Sequence, residues 1–283
     1  MTFFEKFIKT SRYDRPHGIL LLLYPCIWGL YLVTQNIADV LVLCIIFLIG
    51  ACGMRSLGCI WNDLKDKKFD YKVERTKDRL IAQGKLTKVQ IISFMTINLL
   101  IGIFPLFFIP FKAILISFFA VPLIIIYPYM KRITWYPQLW LGITFNWGVI
   151  VGYNSISNNF FSLEMLIMYI GCILWTLAYD TVYGFQDIKD DKKIGIKSTS
   201  IKFKKYFKLF LLICYLISFT CLSLSFLLMD SHVLIIFFMA FLLSIITIKI
   251  YKIDLHSNGE CHKFFIFNSY CGLIITITLF YFN

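Results

Sequence analysis

The sequence predicts an all-α integral membrane protein, about nine transmembrane helices in a bundle with a central cavity open to the cytoplasmic side. Three observations predict it. The 283 residues are 59% hydrophobic with a mean hydropathy of +0.76, too apolar for a soluble domain. Apolar stretches long enough to cross a hydrocarbon core, about 20 residues each, recur along the whole chain. Basic residues gather in alternate connecting segments, as membrane orientation requires.

The elements follow in order. Residues 1–16 are polar and basic and lack the features of a cleavable signal peptide. Apolar segments are then expected at 17–35, 38–60, 89–109, 112–130, 137–155, 162–183, 207–229, 232–251 and 264–282. Helices are the reading, because an open strand cannot satisfy its backbone in lipid. Pro105, Pro110, Pro122, Pro128 and Pro137 punctuate the middle of the chain and predict kinks or short breaks there. A span, an acidic cluster and a basic loop occur at 38–88 and again at 162–208, and no linker divides the chain, so residues 1–283 read as one domain.

Lys and Arg number four in residues 1–16, nine in 61–88, two in 131–136, eight in 184–208 and three in 249–263. These segments fall on one side of the membrane, leaving Lys112 on the other and Arg55 inside a span. The positive-inside rule then puts the N-terminus in the cytoplasm and the C-terminus on the opposite side. The net charge of +12 follows from this topology and not from a nucleic-acid surface. The nine cysteines contain no C-x-x-C pair, and most, such as Cys44, Cys172, Cys214 and Cys271, lie in apolar runs, so no disulfide framework is expected. His17, His232, His256 and His262 have no metal-ligand spacing on a helix.

Two acidic clusters stand out in this basic chain. The first is Asn62-Asp63-Leu64-Lys65-Asp66-Lys67-Lys68-Phe69-Asp70, and the second runs from Asp180 to Asp187, Asp190 and Asp191. Both sit at the cytoplasmic ends of spans. If the second helix continues through the first cluster, Asp63, Asp66 and Asp70 share one face, with Asn62 at i−4 from Asp66. Asp180, Asp187 and Asp191 fall at i, i+7 and i+11, again one face, with Asp190 one step around. Gathered carboxylates repel unless a cation holds them. Oxygen ligands without His or Cys favour Mg²⁺, which takes one or two carboxylates and completes its shell with water and substrate phosphate. Two such half-sites facing each other predict a diphosphate clamp. Asn62, Asp63, Asp66, Asp70, Asp187, Asp190 and Asp191 are the candidate metal ligands. Arg75, Lys77, Arg79, Lys131, Arg132, Lys192, Lys193 and Lys197 supply nearby cations. Arg55 lies seven residues before Asn62, on the same face and about two turns deeper in the span. A charge there costs about 2.5–3.5 kcal/mol on insertion scales and marks a cavity, so Arg55 is read as the anchor of a small anionic co-substrate.

Asn62-Asp63-x-x-Asp66-x-x-x-Asp70, Tyr179-Asp180-Thr181, Asp187-x-x-Asp190-Asp191 and the run Lys193–Thr199 resemble the two motifs of the UbiA-type intramembrane aromatic prenyltransferases. Arg15-Pro16, Met130-Lys131-Arg132 before Pro137-Gln138, and Asn268 fit the same pattern, so the resemblance runs nearly end to end. Arg75-Thr76-x-x-Arg79 also fits, but Leu80 stands where the family has Pro. Within the family the pattern is most similar to members that prenylate 4-hydroxybenzoate for ubiquinone.

The resemblance implies a Mg²⁺-dependent transferase in a bacterial inner membrane, with polyprenyl diphosphate, 4-hydroxybenzoate and the lipid bilayer as partners and no protein partner specified. It implies Asp66, Asp70, Asp187 and Asp191 as the catalytic carboxylates. Arg79, Lys131, Arg132 and Lys197 are implied on the diphosphate and Arg55 on the benzoate carboxylate. A carboxylate or the departing diphosphate takes the ring proton, and the sequence leaves both open. It also leaves open a same-fold enzyme with a haem or naphthoate acceptor, and a divalent-cation transporter.

Overall fold

The computed structural model describes residues 1–34, 36–229 and 233–282. Gln35 and His232, which bound two of the expected apolar segments, lie outside them. Among the described residues all regular structure is helical.

Helix α1 (Phe3–Ser11) is short and amphipathic. Thr2 and Glu5 form a capping box at its start, and Arg12 ends it in the left-handed region with φ 58°. Phe3 and Phe7 both pack edge-on against Phe94. Helix α2 (His17–Tyr31) follows Pro16 and carries Pro25 within it. Helix α3 (Ile37–Asp70) has 34 residues, about 50 Å of rise. That exceeds the hydrocarbon core by several turns, and the excess carries Asn62 to Asp70 out of it as a continuous helix, as the sequence predicts.

Helix α4 (Lys88–Ile103) starts on a Thr87–Gln90 capping box. Helices α5 (Phe111–Phe118) and α6 (Ala120–Ile133) together form one span. Helices α7 (Pro137–Phe145) and α8 (Trp147–Asn154) are broken at Asn146, whose Nδ2 donates to the Gly142 carbonyl at 2.7 Å and to Thr176 Oγ1 at 2.8 Å. Helix α9 (Leu163–Gly184) passes through a 3₁₀ turn at Phe185–Asp187 into α10 (Ile188–Ile194). A short α11 (Thr199–Lys202) precedes α12 (Phe207–Leu227), α13 (Leu234–Lys252) and α14 (Asn258–Phe282).

All nine expected segments fall on helices, and seven of the described helical stretches are long and apolar enough to cross a membrane, which marks an integral membrane protein. The other two differ for identifiable reasons. Helix α2 has only 15 residues, and the 137–155 segment is interrupted where Asn146 turns a side-chain amide onto its own helix.

Helix α9 is the axis of the bundle. The apolar part of Leu163–Ile194 is 61% buried, against 17% for Lys88–Phe107 and for Phe111–Ile133. It packs on α7, α12 and α14, while α2 packs on α3, α8 and α14. Small residues let backbones touch: a Cβ on Gly29 would lie 2.2 Å from the Val149 carbonyl oxygen, and one on Gly152 2.1 Å from that of Cys26. Trp28 stacks on Trp175 at 5.3 Å between centroids, and Trp175 Nε1 and Tyr215 Oη both donate to Asn268 Oδ1, at 2.7 and 2.8 Å. This buried network ties α2, α9, α12 and α14 together. Asn268→Leu strands two buried donors and should cost about 1–2 kcal/mol, read as a lower thermal unfolding midpoint in detergent. An unchanged midpoint would assign the four-helix junction to packing alone.

Candidate active site

The bundle encloses a cavity of 790 Å³. Asn62, Asp70 and Arg55 of α3, Tyr127 and Lys131 of α6, Asp180 of α9, Asp187, Asp191 and Lys197 all line it. Arg75 and Arg79 reach it from the 71–87 connection. The 3₁₀ turn shifts the phase between α9 and α10, yet Asp180, Asp187 and Asp191 still face one space.

The carboxylates are closed by the chain's own cations. Asp63 accepts from Arg12 Nη2 at 2.5 Å and from Arg79 Nη1 at 2.9 Å. Arg79 Nη1 also bonds Asp70 at 2.8 Å, so one guanidinium bridges two acids. Asp66 is fully buried between Lys131 and Arg132, the latter at 3.2 Å. The Lys131 contact is ionic, outside hydrogen-bond angles. Arg75 grips Asp187 with Nε at 2.8 Å and with Nη2, while its Nη1 donates to Tyr183 Oη at 3.1 Å. Asp190 accepts from the Glu74 backbone N–H at 3.0 Å and faces Lys193 at 3.7 Å, outside the cavity lining. The connection after the first cluster therefore pins the second cluster to it.

The ion pairs spread the acids of each cluster apart. Among the described residues no three acidic, histidine or cysteine side chains stand close enough to share a metal. Asp63, Asp66 and Asp190 are ion-paired outside the cavity lining, while Asn62, Asp70, Asp187 and Asp191 line it, Asp70 and Asp187 with their arginines. Those four are hard oxygen donors, which fits a Mg²⁺-like ion seated with substrate phosphate. Arg132 also donates to the Lys65 carbonyl at 2.7 Å, and Lys197 Nζ to the Ile133 carbonyl at 3.1 Å.

Arg12 escaped the sequence reading. It was absorbed into the basic N-terminal segment, and nothing local ties it to Asp63, 51 positions away. Burial works against the charge of Arg12, but Asp63 outweighs it and holds the guanidinium above its ordinary pKa. Arg75 is raised likewise, burial again opposing and Tyr183 and Asp187 prevailing. Leu80, the departure from the family pattern, belongs to a small apolar cluster with Ile60, Ile81 and Phe94, so packing fixes the loop that a proline would have stiffened.

Two turns below the acids, Arg55 lies with its guanidinium carbon 5.5 Å from the Phe145 ring centroid and Nη1 against Cys59. Its Nε is buried without a hydrogen-bond partner. Gly18 makes room for it, since a Cβ there would stand 2.8 Å from Nε.

The UbiA prenyltransferase family model matches residues 22–271, most of the chain. The chain belongs to the UbiA prenyltransferase family. A UbiA relative from Dictyostelium discoideum, a mitochondrial 4-hydroxybenzoate polyprenyltransferase, is 41% identical over 70% of this chain, but the match spans only 43% of that protein. A 4-hydroxybenzoate octaprenyltransferase of Haemophilus ducreyi is 34% identical over 96% of this chain and 98% of its own length. Among solved structures, the apo UbiA homolog of Aeropyrum pernix superposes with a TM-score of 0.68 at 21% identity, covering 92% of this chain and 95% of that one. The Archaeoglobus fulgidus homolog bound to GPP and Mg²⁺ gives 0.66 at 16% identity, covering 97% and 99%. These likenesses carry the UbiA fold.

Arg12→Ala removes one of the two guanidiniums on Asp63. The loss of a charged hydrogen bond should lower stability by about 1–2 kcal/mol in detergent unfolding, less than the full value because Arg12 is partly exposed. No loss would show that Arg79 alone holds Asp63.

Proposed function

We propose that this protein transfers a polyprenyl group from polyprenyl diphosphate to 4-hydroxybenzoate, at the ring carbon ortho to the hydroxyl and meta to the carboxylate, in ubiquinone synthesis. The observation that carries the reading is the pairing of two oxygen-rich half-sites with the unpartnered Arg55 Nε beneath them in one cavity. The 4-hydroxybenzoate relatives support the acceptor. Residues 1–283 act as one unit, in a bacterial inner membrane, with the acidic end of the cavity and the N-terminus toward the cytoplasm and the C-terminus opposite. The excess of basic residues on the side of the acids supports that orientation.

Asn62, Asp70, Asp187 and Asp191 would hold Mg²⁺, with Asp63, Asp66 and Asp190 supporting them, and the ion would supply positive charge to the diphosphate oxygens. Lys131, Arg79 and Lys197 bind those oxygens from the cavity wall, with Arg132 adding charge from behind Asp66. Arg79 and Lys131 now neutralise Asp70 and Asp66, so they are already placed where diphosphate charge arrives. Their fixed charges stabilise the leaving group as the allylic C–O bond breaks and takes its electron pair onto oxygen. Arg55 binds the benzoate carboxylate and sets the ring carbon facing the prenyl cation. Leu141, Phe145 and Ile124 give that level of the cavity apolar walls, which keep water from the cation.

The test is an assay of purified protein with labelled 4-hydroxybenzoate and a series of prenyl diphosphates. Product should form with Mg²⁺, disappear with chelator, and fall at least about 100-fold in kcat for Asp70→Ala or Asp187→Ala. Activity that survives chelation or either substitution contradicts the reading. Arg55→Ala should raise the KM for 4-hydroxybenzoate about 10- to 100-fold and leave that for the donor unchanged. An unchanged hydroxybenzoate KM removes Arg55 from the acceptor site.

A further inference from the structure

The proposed reaction needs a group to take the proton displaced from the acceptor ring, and the cavity contains a carboxylate with no other assignment. Asp180 lines the cavity but makes no hydrogen bond or ion pair among the described residues. Asp63, Asp66, Asp70, Asp187 and Asp190 are all held by cations or backbone donors. Asp191 is also unpaired, but it lies on α10 at the diphosphate end.

Depth separates these two free carboxylates. Asp180 precedes Asp187 by seven residues, as Arg55 precedes Asn62 by seven on α3. Seven helical residues span about 10 Å, so Asp180 lies deeper in the bundle than Asp187, as Arg55 lies deeper than Asn62. Asp180 feels the charges of Arg55, Arg75 and Asp187 but forms no ion pair among the described residues. An acceptor held by its carboxylate at Arg55 would share the cavity with Asp180. His17, His262 and Tyr179 also line the cavity, and each is engaged with a neighbour. His17 shares a 2.7 Å hydrogen bond with Ser269 Oγ and packs edge-on against the exposed Tyr270. His262 packs on Tyr183, one turn nearer the diphosphate end. Tyr179 donates its hydroxyl to Thr176.

We propose that Asp180 is the catalytic base of this reaction. The inference rests on the hydroxybenzoate reading above. Once the donor C–O bond has broken and the new C–C bond has formed, the attacked ring carbon still carries its hydrogen. A carboxylate oxygen of Asp180 takes that proton, the C–H electron pair returns to the ring, and aromaticity is restored. The proton then leaves through the polar end of the cavity. A base fixed beside dry apolar walls acts where bulk water cannot.

The experiment compares wild type, Asp180→Asn and Asp180→Glu in nanodiscs, with 4-hydroxybenzoate and its 3,5-dideuterated form. In wild type, deuteration should have no effect on kcat. Asp180→Asn should lower kcat at least about 100-fold, leave the hydroxybenzoate KM unchanged, and reveal a primary deuterium effect as proton loss becomes limiting. Asp180→Glu, which keeps a base, should stay well above Asp180→Asn. Mn²⁺ binding with an unreactive thiodiphosphate donor, followed by paramagnetic resonance, should be the same in all three. Full activity of Asp180→Asn, or a slow variant without a deuterium effect, overturns the proposal. A weakened Mn²⁺ signal makes Asp180 a metal ligand, and a raised KM alone makes it a binding residue, and either outcome also overturns it. A wild type inactive on hydroxybenzoate defeats the functional reading itself, whereas an active wild type with any of those variant results defeats only this inference.

Discussion

Six aspartates drawn to one end of a membrane bundle repel one another unless positive charge stands among them. The chain meets this constraint with Arg12, Arg75, Arg79, Lys131 and Arg132, and the rest of the site follows from how those five are held. Arg75 and Arg79 lie on one connection, so neutralising the acids also ties α3 to the end of α9. Arg12 brings the amphipathic N-terminal helix into the same network. The cation framework thus closes the cavity and presets charges for an anionic substrate. The chemistry and the architecture share a single set of ion pairs.

Depth is the second ordering principle. Helix α3 is long enough to carry charged ligands beyond the apolar core while keeping Arg55 within it. Helix α9 and its extension repeat the offset with Asp187 and Asp180. In the proposed reaction this offset sets the diphosphate chemistry about two helical turns above the acceptor.

Much of this was legible in the sequence because it was local. Helical spacing put Asn62 and Asp70 on one face, and hydropathy set α3 and α9 around them. The rest depended on long-range pairing. Arg12 reaches Asp63 through a left-handed residue that no spacing rule singles out, and the ion pairs of Asp66 and Asp187 decide which oxygens face the cavity. Length alone could not show that Asn146 breaks the 137–155 segment, because its amide competes with the backbone only when Thr176 is alongside. Leu80 replaces a stiffening residue without loss, since Ile60 and Phe94 pack the loop from outside the motif.

The central claim is that the two acidic half-sites close on one diphosphate and its metal, displacing the resident cations. A structure with Mn²⁺ and a thiodiphosphate donor, read by anomalous scattering, tests it directly. The claim predicts metal density between α3 and α9, bound by oxygens of Asp70 and of Asp187 or Asp191, with Arg79 moved from Asp70 onto the diphosphate. Metal bound by one cluster alone, or Arg75 and Arg79 still paired as they are here with the donor elsewhere, would contradict it.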